Sequence, residues 1–374
     1  MAPKTDVLFA MTGDVHRNAR ALRQLEALSE AGLSVTLLAL EPGTLRSDLP
    51  PSVRLVHVPI RATGGPRFFL EVHGRFGEAA LAHPARLVHA SDLYVLRALA
   101  GASHAGRARL TYDARELYTH VASVEGRPWV RRFWTTFEKG PIRRADVVFT
   151  VSDAIADRLA STYRIRRPLV QWNAPVAGPA PPDDYLRRST GIADGTFVFV
   201  HLGQMRAGRG GEAIIRASCG IDRAAVVFLG YGPERSQLEV LARRLGAPVH
   251  FLDPVEPHRI RGVLSGADAG LTLLEDSCLN HRLALPNKLF DYLAAGLPVL
   301  ASPFPEISRI VSLHSVGLLA DPRDERGLAE TMRSMTLDPA RRVQWRRNAL
   351  AAAETFDWTR ASQAFVSHVL PLVR

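Results

Sequence analysis

Short, unbroken apolar runs, each followed by a segment of helical period, recur along nearly the whole chain, and that alternation most limits what it can fold into. In the first half VLFAM (residues 7–11), SVTLLAL, VRLVHV, RLVHA, RLTY and DVVFTV are continuous rather than alternating, as strands of a parallel sheet covered on both faces require. The first of them leads through Thr12, Gly13 and Asp14 into a helix predicted over residues 17–31, with Ala21, Leu25 and Leu28 as its buried stripe. Residues 174–184, APVAGPAPPDD, hold four prolines and no periodicity, and read as a linker. After it the pattern restarts with TFVFVHLG, AAVVFLG, PVHFLD, DAGLTLLE, LPVLAS and VGLLAD. The expectation is an α/β chain of two doubly wound, Rossmann-like domains, residues 1–178 and 179–338, with helices over 339–374 that pack on one of the two and could cross back to the first.

Doubly wound sheets bind ligands outside the carboxyl ends of their strands, so two in tandem imply a cleft between facing crevices. The other classes are excluded by simple counts. With two cysteines, Cys219 and Cys278, the chain lacks the makings of a disulfide framework or a four-ligand zinc site, and a reducing compartment is the default. The apolar run at residues 7–11 is too short for a signal-peptide core, and no stretch reaches the roughly 18 apolar residues of a membrane span. A cytoplasmic location is expected. The net charge of +10 is not gathered into tails; residues 1–178 hold 24 basic against 16 acidic residues, so the first half carries the basic surface. No nucleic-acid motif accompanies that charge, and nucleic acid is not expected as a partner.

Three stretches could carry chemistry. In ALPNKLFDYLAAGLPVLAS (residues 284–302), Pro286 and Asn287 open a helix and Gly296 closes it, which puts Asn287 and Asp291 on one face. Asp291 then sits one turn inside a helix at the carboxyl end of a strand, placed to accept hydrogen bonds from a pair of hydroxyls. Lys288 and the first amides of the helix favour an anion. In HLGQMRAGRGGEAIIRA (residues 201–217), Gly203, Gly208, Gly210 and Gly211 crowd a strand-to-helix turn, and Arg206 and Arg209 add charge. The spacing fits neither the dinucleotide fingerprint nor the P-loop, and glycine-rich turns also serve packing alone. In TYDARELYTH (residues 111–120), Asp113 and Glu116 beside Arg115 could do acid/base work or form a structural ion pair. Histidines show no metal-binding spacing and no nucleophile elbow occurs, so neither a catalytic metal nor covalent serine chemistry is expected.

PNKLFDYLAAGLPVLAS, the preceding GLTLLEDS, LGQMRAGRGGEAIIRA, RADVVFTVSDAIADRLA and VGLLADPRDERGLAETM together resemble the GT4 family of retaining glycosyltransferases, in order from about Asp6 to Met335. The resemblance implies a GT-B fold, a nucleotide-sugar held mainly by the second domain and an acceptor by the first. It implies transfer of a hexose-type sugar from a UDP- or GDP-linked donor to an acceptor hydroxyl, without cofactor or metal. The acceptor would be a surface polysaccharide, a lipid-linked sugar or a small natural product.

By that resemblance Asp291 matches the second acid of the family's E-x7-E motif, on the donor ribose, while the first acid is replaced by Leu283. Arg209 matches the basic residue that pairs with the diphosphate; its usual partner is Gln204 here, leaving Arg206 or Lys288 to supply the second charge. Arg115, followed by Glu116, stands where the family often has a histidine at the transferred sugar. Gly13 matches the first-domain loop near the donor phosphates, and Pro254 and Val255 match the region contacting the base. The departures keep open an inactive scaffold that binds a partner; a sugar-nucleotide 2-epimerase is the rival enzyme on the same fold, and the match to GT4 argues against it.

One further segment, GRPWVRRFWTTFEKGPIRR (residues 126–144), puts Trp129, Phe133 and Phe137 on one helical face among Arg131, Arg132, Lys139, Arg143 and Arg144. Such a face suits an anionic membrane surface at the inner side of the plasma membrane, or is a core stripe with a solvated back.

Overall fold

A computed structural model describes residues 5–40, 48–176, 178 and 183–374. Its chain divides into two compact units, residues 1–173 with 359–374, and residues 174–358. The first boundary thus falls five residues before the predicted one, and residues 177 and 179–182 of the proline-rich stretch lie outside the described residues.

The first unit holds a parallel sheet of seven strands, β1 (Thr5–Ala10), β2 (Val35–Ala39), β3 (Val53–His57), β4 (Ala85–Ala90), β5 (Arg109–Ala114), β6 (Val147–Thr150) and β7 (Leu169–Val170). Their order is β3-β2-β1-β4-β5-β6-β7, which reverses between β1 and β4. The second unit holds six, β8 (Phe197–Leu202), β9 (Ala224–Leu229), β10 (Val249–Leu252), β11 (Ala269–Thr272), β12 (Val299–Ala301) and β13 (Gly317–Leu319). Their order, β10-β9-β8-β11-β12-β13, reverses between β8 and β11. Each reversal opens a crevice at the carboxyl ends of the two central strands, because their crossover helices leave on opposite faces.

Twelve of these strands coincide with the apolar runs of the sequence, and most of their side chains are buried because helices cover both faces of each sheet. The two-residue β7 was not predicted, being too short to give an apolar run. The helix predicted over residues 17–31 starts later, at Ala19, after a single 3-10 turn over Val15–Arg17, because the Asn18 side chain caps it by accepting from the Ala21 amide.

The helices after residue 338 do not stay together. Pro339–Thr355 belongs to the second unit, where Trp345 joins a core of Phe199, Phe228, Leu271, Met332 and Met335. Trp358–Val373 packs in the first unit, where Phe365, Val369 and Val373 meet Phe9, Leu37 and Phe149.

Candidate functional site

At the reversal of the second sheet, β8 is followed by Gly203, whose φ of 104° is a conformation that glycine adopts without strain. The next loop crosses so close that a Cβ on Gly230 would lie 2.1 Å from the Gly203 carbonyl oxygen. Packing also explains Gly210, whose Cβ would lie 2.5 Å from the Leu273 carbonyl oxygen, and Gly208, whose Cβ would press on Ser277 and His281. The glycines therefore let the turn lie flat against the loop after β11, where the Glu275 amide donates to the Gly208 carbonyl at 3.1 Å. Gly210 opens the helix Gly211–Ser218 without a side-chain cap, and the turn carries Arg206 exposed and Arg209 half-buried.

The helix Asn287–Ala294 enters the same crevice, its N-cap Pro286 offering no side-chain cap. Its position is fixed by Tyr292, a residue the sequence reading did not single out. The buried hydroxyl accepts from the Leu202 amide at 2.8 Å and lies 3.1 Å from the carbonyls of both Val200 and Leu271, so it ties the helix to the ends of β8 and β11. Gly270 is required beneath the ring, since a Cβ there would stand 2.3 Å from Tyr292 Cγ. One turn earlier, Lys288 Nζ lies 3.0 Å from Nε2 of His201, a β8 residue only 1 % exposed.

Burial, then the Arg209 guanidinium, holds the Lys288 ammonium well below the usual lysine range, with Asp291 opposing. Burial, then Lys288 and Arg209, pushes His201 well down, with the Gln204 backbone opposing. His281 is lowered too, by burial, then Arg209, and more weakly by Arg206. Arg206, Arg209, Lys288, Asp291 and the two imidazoles thus form one electrostatic cluster with excess positive charge. Asn287 stands exposed at the start of the helix. Leu283 is half-buried, and Gln204 Nε2 donates to the Tyr231 hydroxyl at 3.2 Å. Pro254 and Val255 occupy the loop after β10, two strands from β8.

The crevice of the first unit has the same start. Gly13 follows β1 with the φ of Gly203, 104°. Beside it the Thr12 amide and hydroxyl donate to Asp92 Oδ2 at 2.6 and 2.8 Å, joining the ends of β1 and β4. The other oxygen of Asp92 caps the helix Leu93–Gly106. Arg115, after β5, pairs with Asp92 at 3.6 Å rather than with Glu116, which is half-buried. Asp113 is not free for acid/base work. It is fully buried, takes both Nε and Nη2 of Arg20 at 2.6 and 2.8 Å, and is held below the usual carboxylate range because that guanidinium outweighs burial. Asp113 is thus part of a structural ion pair, with Arg20 rather than with Arg115.

In this unit the helix Pro128–Arg144 buries Trp134, which meets Phe69 at 4.8 Å and Phe137 at 5.5 Å, and leaves Trp129 74 % and Phe133 56 % exposed. No helix among the described residues is long and apolar enough to cross a membrane, and they contain no cluster of metal-ligating side chains.

Residues 18–171 match the family model described as a glycosyl transferase 4-like domain, and residues 183–351 the model described as glycosyl transferases group 1. The lipopolysaccharide core biosynthesis glycosyltransferase LpsD of Rhizobium meliloti (strain 1021) is 32% identical over 166 residues, 44% of this chain and 46% of that protein. A D-inositol 3-phosphate glycosyltransferase of Actinosynnema mirum is 25% identical over 249 residues, 62% of this chain and 58% of that protein. The chain thus spans about half the length of the curated relatives it matches. Among solved structures, Anabaena HepE in complex with UDP-glucose superposes with a TM-score of 0.77 at 18% identity, covering 98% of this chain and 100% of that one. The fold is that of GT-B glycosyltransferases.

Proposed function

From the chain's membership of the GT4-type glycosyltransferases, we infer that it transfers a hexose-type sugar, with retention, from a nucleoside diphosphate sugar to an acceptor hydroxyl. One observation carries the reading: Arg209, Lys288, Asp291 and two helices without side-chain caps converge where β8 and β11 part. Helix N-termini and cationic side chains together favour a diphosphate, and Asp291 one turn in can accept from the ribose hydroxyls. In the reaction the departing diphosphate gathers charge, and the same groups, with Arg206, stabilise it most where that charge is greatest. The acceptor hydroxyl attacks from the face that the nucleotide leaves, and no metal ion is required by this scheme.

In the first unit the family resemblance points to Gly13, Arg115 and Glu116 as residues with a part in the reaction. The UDP-glucose of HepE makes UDP the first nucleotide to try, and LpsD supports an acceptor in surface glycan or glycolipid assembly. The exposed Trp129 and Phe133, with Arg131 and Arg132 beside them, support docking of this unit on an anionic membrane surface.

Thermal unfolding of the protein with UDP, GDP, ADP, CDP and TDP tests the donor site. A nucleotide at 100 times its dissociation constant adds about 2.7 kcal/mol, a shift of several degrees. Stabilisation by one of them, weakened about ten- to hundredfold in Asp291→Ala, is expected. Silence toward all five would favour the inactive scaffold over the enzyme.

A further inference from the structure

His201 is buried in the middle of the second sheet, yet it fills no role that an apolar residue would not fill better as packing. Its imidazole is held by a hydrogen bond with the Gln204 backbone, which leaves Nε2 as the nitrogen facing the lysine. Its Nε2 has one contact, the Lys288 Nζ at 3.0 Å. Lys288 is one of three lysines among 47 basic residues. Against the His201 imidazole the chain therefore carries a side chain that can release its proton, whereas an arginine cannot.

We propose that His201 is the positioning residue for Lys288, that the free pair is short of one exchangeable proton, and that arrival of the donor's diphosphate draws that proton in from solvent. The proposal rests on the donor-site reading above. The groups facing the pair make the linkage. Arg209, from the turn before Gly211–Ser218, repels positive charge on both partners, and burial acts in the same direction. Asp291, on the lysine's own helix, and the Gln204 backbone, beyond β8, favour the charged forms. The Phe228 ring, 5.0 Å from the imidazole, adds no charge. Without a ligand the cluster relieves its repulsion by leaving the pair short of a proton. A diphosphate reverses the sign of the local field, and Lys288 then binds as an ammonium oriented by the His201 acceptor.

Titration calorimetry of the full chain with UDP, or with GDP if that is the stabilising nucleotide, tests this at pH 8 in Tris and in HEPES, buffers of very different ionisation enthalpy. The terminal phosphate, with a second pKa of about 6, is already ionised there and contributes no proton. The expected result is a buffer-dependent heat that corresponds to uptake approaching one proton per nucleotide, with affinity falling as pH rises further. Lys288→Arg is expected to bind without uptake. His201→Phe, which keeps the packing on Phe228, should weaken binding more at pH 8 than at pH 6.5, and His201→Gln, which restores an acceptor, should recover part of it. Binding with the same heat in both buffers, or a loss in His201→Phe that is equal at both pH values, would overturn the proposal while leaving the donor site intact. Failure of the unaltered protein to bind any nucleoside diphosphate would overturn both.

Discussion

Arg20 and Asp113 illustrate how a residue's chemistry is decided by what it faces. Asp113 looked like one of a pair of carboxylates at a strand end, but the partner that neutralises it lies 93 positions earlier in the chain. Gln24 Nε2 also donates to it, at 3.0 Å, and the Gln171 carbonyl accepts from Arg20 at 2.5 Å. Arg20→Met strands a buried carboxylate and is expected to lower the stability of the first unit by about 3–5 kcal/mol. In urea unfolding followed by circular dichroism this appears as an earlier first transition, with nucleotide affinity of the second unit unchanged. A variant as stable as the parent but without turnover would instead give Asp113 a part in the chemistry. Lys288, Asp291 and Arg209 were legible in the sequence through their place beside helix starts and glycines. His201 and Tyr292 were not, for a physical reason: inside FVFVHL and KLFDYL each reads as one more member of an apolar run, and its polar atom matters through partners 21 to 92 residues away. The one local signal was a titratable residue two places before Gly203.

At the level of elements, strands were the most legible part, because a strand covered on both faces shows itself by composition alone. The helix Pro128–Arg144 shows where periodicity stops being enough. Trp129, Phe133 and Phe137 do share a face by their spacing of four, yet the side chain driven into the protein is Trp134, with Glu138 and Ile142 one and two turns on. Which of two apolar faces is buried depends on the neighbouring helix Gly65–Ala82, whose Phe69 receives Trp134. The face left outside carries the membrane reading. Sedimentation with vesicles containing anionic lipid is expected to retain the protein. Replacing Arg131 and Arg132 by glutamate should weaken retention at least about thirtyfold, since each basic residue contributes on the order of 1 kcal/mol near such a surface. Retention insensitive both to anionic lipid and to that charge reversal would remove the reading.

For the whole molecule, two domains were legible because the strand-helix pattern stops at the prolines and begins again. The division of the final helices was not. Pro339–Thr355 and Trp358–Val373 are both helical with apolar stripes, and nothing in their spacing says that Trp345 belongs with Met332 while Phe365 belongs with Phe9. The two units repeat one plan: a glycine at the same φ after the first central strand, and a polar side chain joining the ends of the central pair, Asp92 in one and Tyr292 in the other. In the second, the helices Gly211–Ser218 and Asn287–Ala294 start uncapped beside Arg209 and Lys288, and the proposed donor site lies there. Amide hydrogen exchange of the whole protein, with and without the stabilising nucleoside diphosphate, measures that assignment directly. Slower exchange at residues 203–213 and 286–291 is expected, because those amides would meet the diphosphate and ribose; tight binding with slowing confined to the first unit, around Gly13, Asp92 and Arg115, would contradict it.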